Sequence, residues 1–171
     1  MSQVSQVSVV MGVSGSGKTT VARALAHRLG CNFAEGDDLH PAENIAKMAA
    51  GRPLTDEDRW PWLAAVAEWI AVQADAGQNG VVSCSALRRA YRDRLRRSDV
   101  TFVYLRGDRA SIARRLADRT DHFMPAALLD SQFATLEPPT ADERHIDVDI
   151  ATLLTTEQQV DAVLAALSAD D

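Results

Sequence analysis

Apolar and polar positions in this chain switch between two periods in a regular way. Val7-Ser8-Val9-Val10-Met11 is an apolar run of the length of a short buried strand, and residues 20–29 then take up helical periodicity. Further strand-like runs lie at 32–36, 80–84, 100–105 and 145–149. Of these, Val100-Thr101-Phe102-Val103-Tyr104-Leu105 is the clearest, being β-branched and aromatic. Between them the spacing predicts helices over about 41–50, 56–76, 88–97, 109–119, 125–135 and 156–168. Within the second of these, Trp62, Val66, Trp69 and Ile70 share one face, which is the pattern of core rather than of a ligand platform.

Strands alternating with helices predict an α/β fold, a parallel sheet with helices on both faces. Ligands in such folds bind beyond the carboxyl ends of the strands. The candidates are therefore residues 12–19, 37–40, 85–88 and 106–108. Two insertions interrupt the alternation. One, at 37–60, has the place of a substrate lobe, and the other, at 119–125, that of a lid; surface loops are the plainer reading of both.

Gly12-Val13-Ser14-Gly15-Ser16-Gly17-Lys18-Thr19 fills the first of these positions, between a strand and a helix, where a phosphate-binding loop belongs. Glycines let successive N–H groups turn inward toward an anion, and the helix that follows adds its positive end. Lys18 can neutralise β- and γ-phosphate oxygens, and the Thr19 hydroxyl can ligate Mg²⁺. Thr20 completes the nucleotide-binding stretch.

Composition narrows the class. At 171 residues with 46% apolar and 25% charged positions, the chain reads as one globular domain over 1–171. A net charge of −6 argues against a general nucleic-acid or membrane-surface binder. Cys31 and Cys84 are too few and too isolated for a disulfide framework or zinc site. With no leader-like start and no apolar stretch of membrane-spanning length, a soluble cytoplasmic protein is expected.

Asp37-Asp38-Leu39-His40-Pro41 follows the second strand directly. A kinase acting on a hydroxyl needs a carboxylate to hold it and accept its proton. Spacing leaves Asp37 and Asp38 in competition. Side-chain alternation past the strand favours Asp37 over the crevice, with Asp38 turned toward a helix opening at Pro41, where it would cap. The third strand ends Ser83-Cys84-Ser85 with no acid, which speaks against an ATPase motor or GTPase and leaves the metal to Thr19, phosphates and waters. Arginines crowd the next stretch, Arg88, Arg89, Arg92, Arg94, Arg96 and Arg97, and for most of them a solvated basic face is the expectation. Arg88, beside the strand end, and Arg59, ahead of Trp60-Pro61-Trp62, are candidates for clamping a substrate carboxylate. Arg115 and Arg119, one helical turn apart before the lid, could cover the nucleotide.

Taken together, these segments resemble the P-loop gluconate kinases over about residues 7–150. The specific parts are Gly36-Asp37-Asp38-Leu39-His40-Pro41, Pro53-Leu54-Thr55-Asp56-Glu57-Asp58-Arg59-Trp60-Pro61-Trp62 and Cys84-Ser85-Ala86-Leu87-Arg88. Tyr104-Leu105-Arg106-Gly107-Asp108 and His122-Phe123 close the set. The resemblance implies a nucleoside-monophosphate-kinase-like fold and transfer of the ATP γ-phosphoryl group, with Mg²⁺, to the 6-hydroxyl of D-gluconate. It also implies a homodimer. Lys18 and Asp37 would be catalytic. Asp37, His40, Arg59, Arg88 and His122 would meet the sugar acid. The chain departs from the family's pattern at Arg88, often Lys, and at Asp121, where a lid glycine is common. Shikimate kinase would need a glycine triplet where Ser83-Cys84-Ser85-Ala86 stands, and adenylylsulfate kinase later signatures that are missing. A non-catalytic nucleotide-binding module has the intact Lys18, Thr19 and Asp37 against it.

Overall fold

The computed structural model describes residues 6–118 and 126–169. Five strands form one parallel sheet: β1 (Val7–Met11), β2 (Asn32–Glu35), β3 (Gly80–Ser83), β4 (Val100–Arg106) and β5 (His145–Asp149), in the order β2-β3-β1-β4-β5. Every residue of β1 is buried, as befits the central strand of a sheet covered on both faces. Strand alternation sorts the core into two layers. Val9, Val82 and Phe102 point to one face, where α3 (Asp56–Asp75) lays Trp62, Leu63, Val66 and Ile70 against them. Val10, Val81 and Val103 point to the other, under α1 (Lys18–Leu29), α5 (Arg109–Ala117) and α7 (Thr156–Ala169). Each such buried aliphatic side chain contributes about 1.5–3 kcal/mol.

The helix ends follow local chemistry. α1 stops at Gly30, whose left-handed backbone (φ 63°) lets its N–H reach the Ala26 and His27 carbonyls. α3 starts with a capping box: Thr55 accepts from the Asp58 N–H, and the Asp58 carboxylate accepts from the Thr55 N–H. Pro61 lies inside α3 and does not end it.

Three expectations are corrected. β2 ends at Glu35, not Gly36, and residues Gly36–Leu39 form a 3₁₀ turn. α2 (Ala42–Ala49) has Pro41 as its N-cap residue and no side-chain cap, so Asp38 is not the cap it was expected to be. The arginine-rich helix is short: α4 covers Arg89–Asp93 and does not run to 97. α6 (Ala126–Thr135) matches its predicted span to within a residue. Among the described residues no helix is long and apolar enough to cross a membrane.

Candidate active site

The loop after β1 enters α1 through Gly17, which takes a left-handed conformation (φ 97°). Gly15 is left-handed too (φ 85°), and a Cβ there would stand 2.8 Å from the Leu116 side chain, which would have to shift. Lys18 Nζ donates to the Val13 carbonyl at 3.1 Å, so its ammonium folds back over the loop. Burial pushes the Lys18 ammonium below its ordinary pKa, against the opposing pull of Asp37 and Glu35. Ser14 N–H is taken by Gln132 Oε1 of α6 at 2.7 Å. The Ser16 hydroxyl is buried with no hydrogen-bond partner among the described residues.

Thr19 Oγ1 donates to Glu35 Oε2 at 2.6 Å, and Ser83 Oγ donates to Glu35 Oε1 at 2.7 Å. Sequence reasoning missed Glu35. The available signal was an acid at the last position of β2; extending the strand through Gly36 hid it. Gly36 fixes the geometry, since a Cβ there would lie 2.1 Å from the Ser83 carbonyl oxygen. Its N–H reaches Ser83 Oγ (3.3 Å) and its carbonyl accepts from Trp62 Nε1 (2.8 Å). A half-buried carboxylate against the Thr19 hydroxyl is a set of hard oxygen donors, and these suit Mg²⁺.

From Gly36 the turn carries exposed Asp37 toward Lys18 and His40, where its charge opposes the lowering of both pKa values by burial. The His40 ring stacks on Trp62 with centroids 4.3 Å apart. Burial lowers the pKa of His40 despite Asp37, and nearby Arg59 lowers it further, which favours the neutral imidazole. Asn44 Nδ2 lies 3.2 Å from His40 Nδ1 and donates to the Asp58 carbonyl at 2.8 Å, tying α2 to the start of α3.

Arg59 and Arg88, separated by 29 positions, converge on the same carboxylate. Their guanidinium nitrogens stand 3.5 Å and 3.7 Å from Asp56 oxygens, and Arg59 Nη1 also donates to Tyr91 Oη at 3.1 Å. Arg88 owes its place to an unexpected neighbour. Arg92 is not part of a solvated face: it is fully buried, pairs with buried Glu143 (2.7 Å), and donates to the Ala86 and Leu87 carbonyls. It thus pins the loop that presents Arg88. Burial alone would raise the pKa of Glu143; hydrogen bonds from Arg92 and the Thr140 N–H reverse that and hold it ionised.

Arg115 approaches the loop from the β4 side. Its Nη1 would be 3.7 Å from a Cβ on Gly17, and its Nη2 donates to the Ile150 carbonyl at 3.4 Å. A shallow cavity of about 220 Å³ opens beside it, lined by Arg114, Ile150, Ala151 and Leu154 among others. Arg119 and His122, with the rest of the expected lid, lie outside the described residues. A second cavity, about 260 Å³, sits near the amino ends of β4 and β5 by Arg96, Arg97 and Val100, away from these groups.

Residues 7–139 match the family model described as an AAA domain. The gluconokinase of Gluconobacter oxydans is 55% identical over 142 residues, covering 82% of this chain and 80% of its own. The thermosensitive gluconokinase of Escherichia coli is 46% identical over 162 residues, 92% of this chain and 87% of its own. A crystal structure of a gluconokinase from Sinorhizobium meliloti superposes with a TM-score of 0.88 at 48% identity, over 98% of this chain and 94% of that one. That scaffold is the P-loop kinase fold, and the chain belongs to the gluconokinase family.

Proposed function

We propose that this protein transfers the γ-phosphoryl group of ATP to the 6-hydroxyl of D-gluconate, giving 6-phospho-D-gluconate. The observation that carries the reading is the line of charged and polar side chains along the carboxyl edge of the sheet. Lys18, Asp37, His40, Arg59 and Arg88 follow one another from phosphate loop to arginine pair. A sugar acid with a carboxylate at one end and a primary hydroxyl at the other matches that order.

In this reading Gly12, Val13, Ser14, Gly15, Ser16, Gly17, Lys18, Thr19 and Thr20 hold the ATP phosphates. Lys18 counters charge on the transferring group. Arg115 and the adjoining cavity receive the rest of the nucleotide, with Arg119 added from the lid at 119–125. Thr19 would hold Mg²⁺, with Glu35 ordering its hydroxyl and waters. Bound there, the ion would neutralise β- and γ-phosphate oxygens. Asp37 orients the attacking hydroxyl and takes its proton, while His40 and His122 contact the polyol chain. Arg59 and Arg88 take the carboxylate through paired N–H donors. The substrate lobe at 37–60 and the lid belong to one kinase domain. A homodimer in the cytoplasm completes the reading, supported by the family resemblance; analytical ultracentrifugation tests the dimer.

ADP release measured across gluconate, related aldonates, shikimate, AMP and adenylylsulfate tests the assignment. Gluconate is expected to give the highest kcat/KM. Preference for shikimate, AMP or adenylylsulfate would refute it.

A further inference from the structure

Asp56 stands where a substrate carboxylate would be expected to find its cations. It is the first residue of α3, and its Oδ1 accepts from the hydroxyl of buried Tyr91 at 2.6 Å. Arg59 and Arg88 flank it at 3.5 Å and 3.7 Å. Neither contact is a tight bidentate pair, so the guanidinium forks keep donors for a ligand. Ion pairing adds little stability here. The Asp56 side chain is 39% exposed and that of Arg88 46%, a setting in which ion pairs contribute little. Two guanidiniums and one carboxylate leave one net positive charge, which a monocarboxylate neutralises and a dianion overfills.

We propose that Asp56, held by Tyr91 between Arg59 and Arg88, is a specificity-determining residue that sets this subsite to accept a singly charged carboxylate and to turn away dianions. The inference rests on the assignment of Arg59 and Arg88 to the substrate carboxylate. Asp56 spaces the guanidiniums and also repels a second negative charge. Its removal leaves a doubly positive pair, which favours a compact dianion over a carboxylate that depends on orientation.

The test uses inorganic sulfate as the dianion, with the full chain at saturating ATP. The sulfate Ki, measured as competition against gluconate, is divided by the gluconate KM. In Asp56→Asn this ratio is expected to fall about tenfold, the effect of one unit charge a few ångströms away. Asp56→Ser removes the same charge, retains a residue suited to a helix start, and is expected to give the same fall. A fall of less than threefold in the variants that fold overturns the proposal, even if gluconate KM or thermal stability has changed. Failure of the wild-type protein to phosphorylate gluconate would overturn both this inference and the reading beneath it. Normal turnover with an unchanged ratio would overturn this inference alone.

Discussion

Two carboxylates, Glu35 and Asp37, divide the acid chemistry of the site. Glu35 is committed to the Thr19 and Ser83 hydroxyls, whereas exposed Asp37 sits in the field of Lys18 and His40. Asp37→Asn keeps shape and removes the proposed proton acceptor, so kcat is expected to fall on the order of 10²-fold with ATP binding retained. Asp38 is exposed and caps nothing, and Asp38→Asn is expected to keep both activity and melting temperature. Steady-state kinetics and thermal melts of the two variants decide between the acids; a dead Asp38→Asn enzyme beside an active Asp37→Asn one would reverse the roles. Asp58 makes a second residue-scale case. The Lys47 ammonium, followed by the Thr55 N–H, holds its carboxyl at about 2, below the ordinary 3.8. The folded state therefore binds fewer protons than the unfolded chain in that window. The stability this gives is complete above pH 3.8 and is lost as pH falls through about 2. Lys47→Met removes the largest cause, so melting temperature followed across that range should drop less steeply than in the wild type.

At the scale of elements, the loop after β3 depends on a buried ion pair that no local pattern announces. Arg92 and Glu143 lie 51 positions apart, and both side chains are fully buried. Removing one partner strands a charge, so Arg92→Met is expected to cost about 3–5 kcal/mol in denaturant unfolding. Arg92→Met combined with Glu143→Leu should recover much of that loss; a single variant as stable as the wild type would contradict the account. The same pair shows what the sequence could and could not convey. Strands β1 and β4 and helix α3 were legible, because their apolar periods reflect burial against a sheet, which each residue records locally. The phosphate loop was legible because its glycines answer to backbone geometry within a few positions. Arg92 looked like one more surface arginine because its partner is remote in sequence. Glu35 was overlooked because its role depends on α1 and β3 meeting at the end of β2. The convergence of Arg59 and Arg88 followed from the order of elements, but Asp56 and Tyr91 between them did not.

At the scale of the whole molecule, the strand order puts the proposed nucleotide site and the proposed acid site on opposite sides of β1. Arg115 and the cavity by Ile150 belong to the β4–β5 side; Asp37, Arg59 and Arg88 belong to the β3–β2 side. The two binding events should therefore be separable. Arg59→Met and Arg88→Met are each expected to raise the KM for gluconate while the KM for ATP stays near its wild-type value; weakened ATP binding would contradict the division. Lys18 lies where the two sides meet. The most direct measurement is phosphorus NMR of the product made from gluconate and ATP by the wild-type chain, with Lys18→Ala assayed in parallel. A single phosphomonoester on the C6 oxygen is expected, formed at least tenfold more slowly by Lys18→Ala, a loss of about 1.4 kcal/mol or more of transition-state stabilisation. Phosphate on another hydroxyl, no phosphorylated sugar acid, or a Lys18→Ala enzyme that keeps more than about a tenth of wild-type kcat would contradict the proposed function.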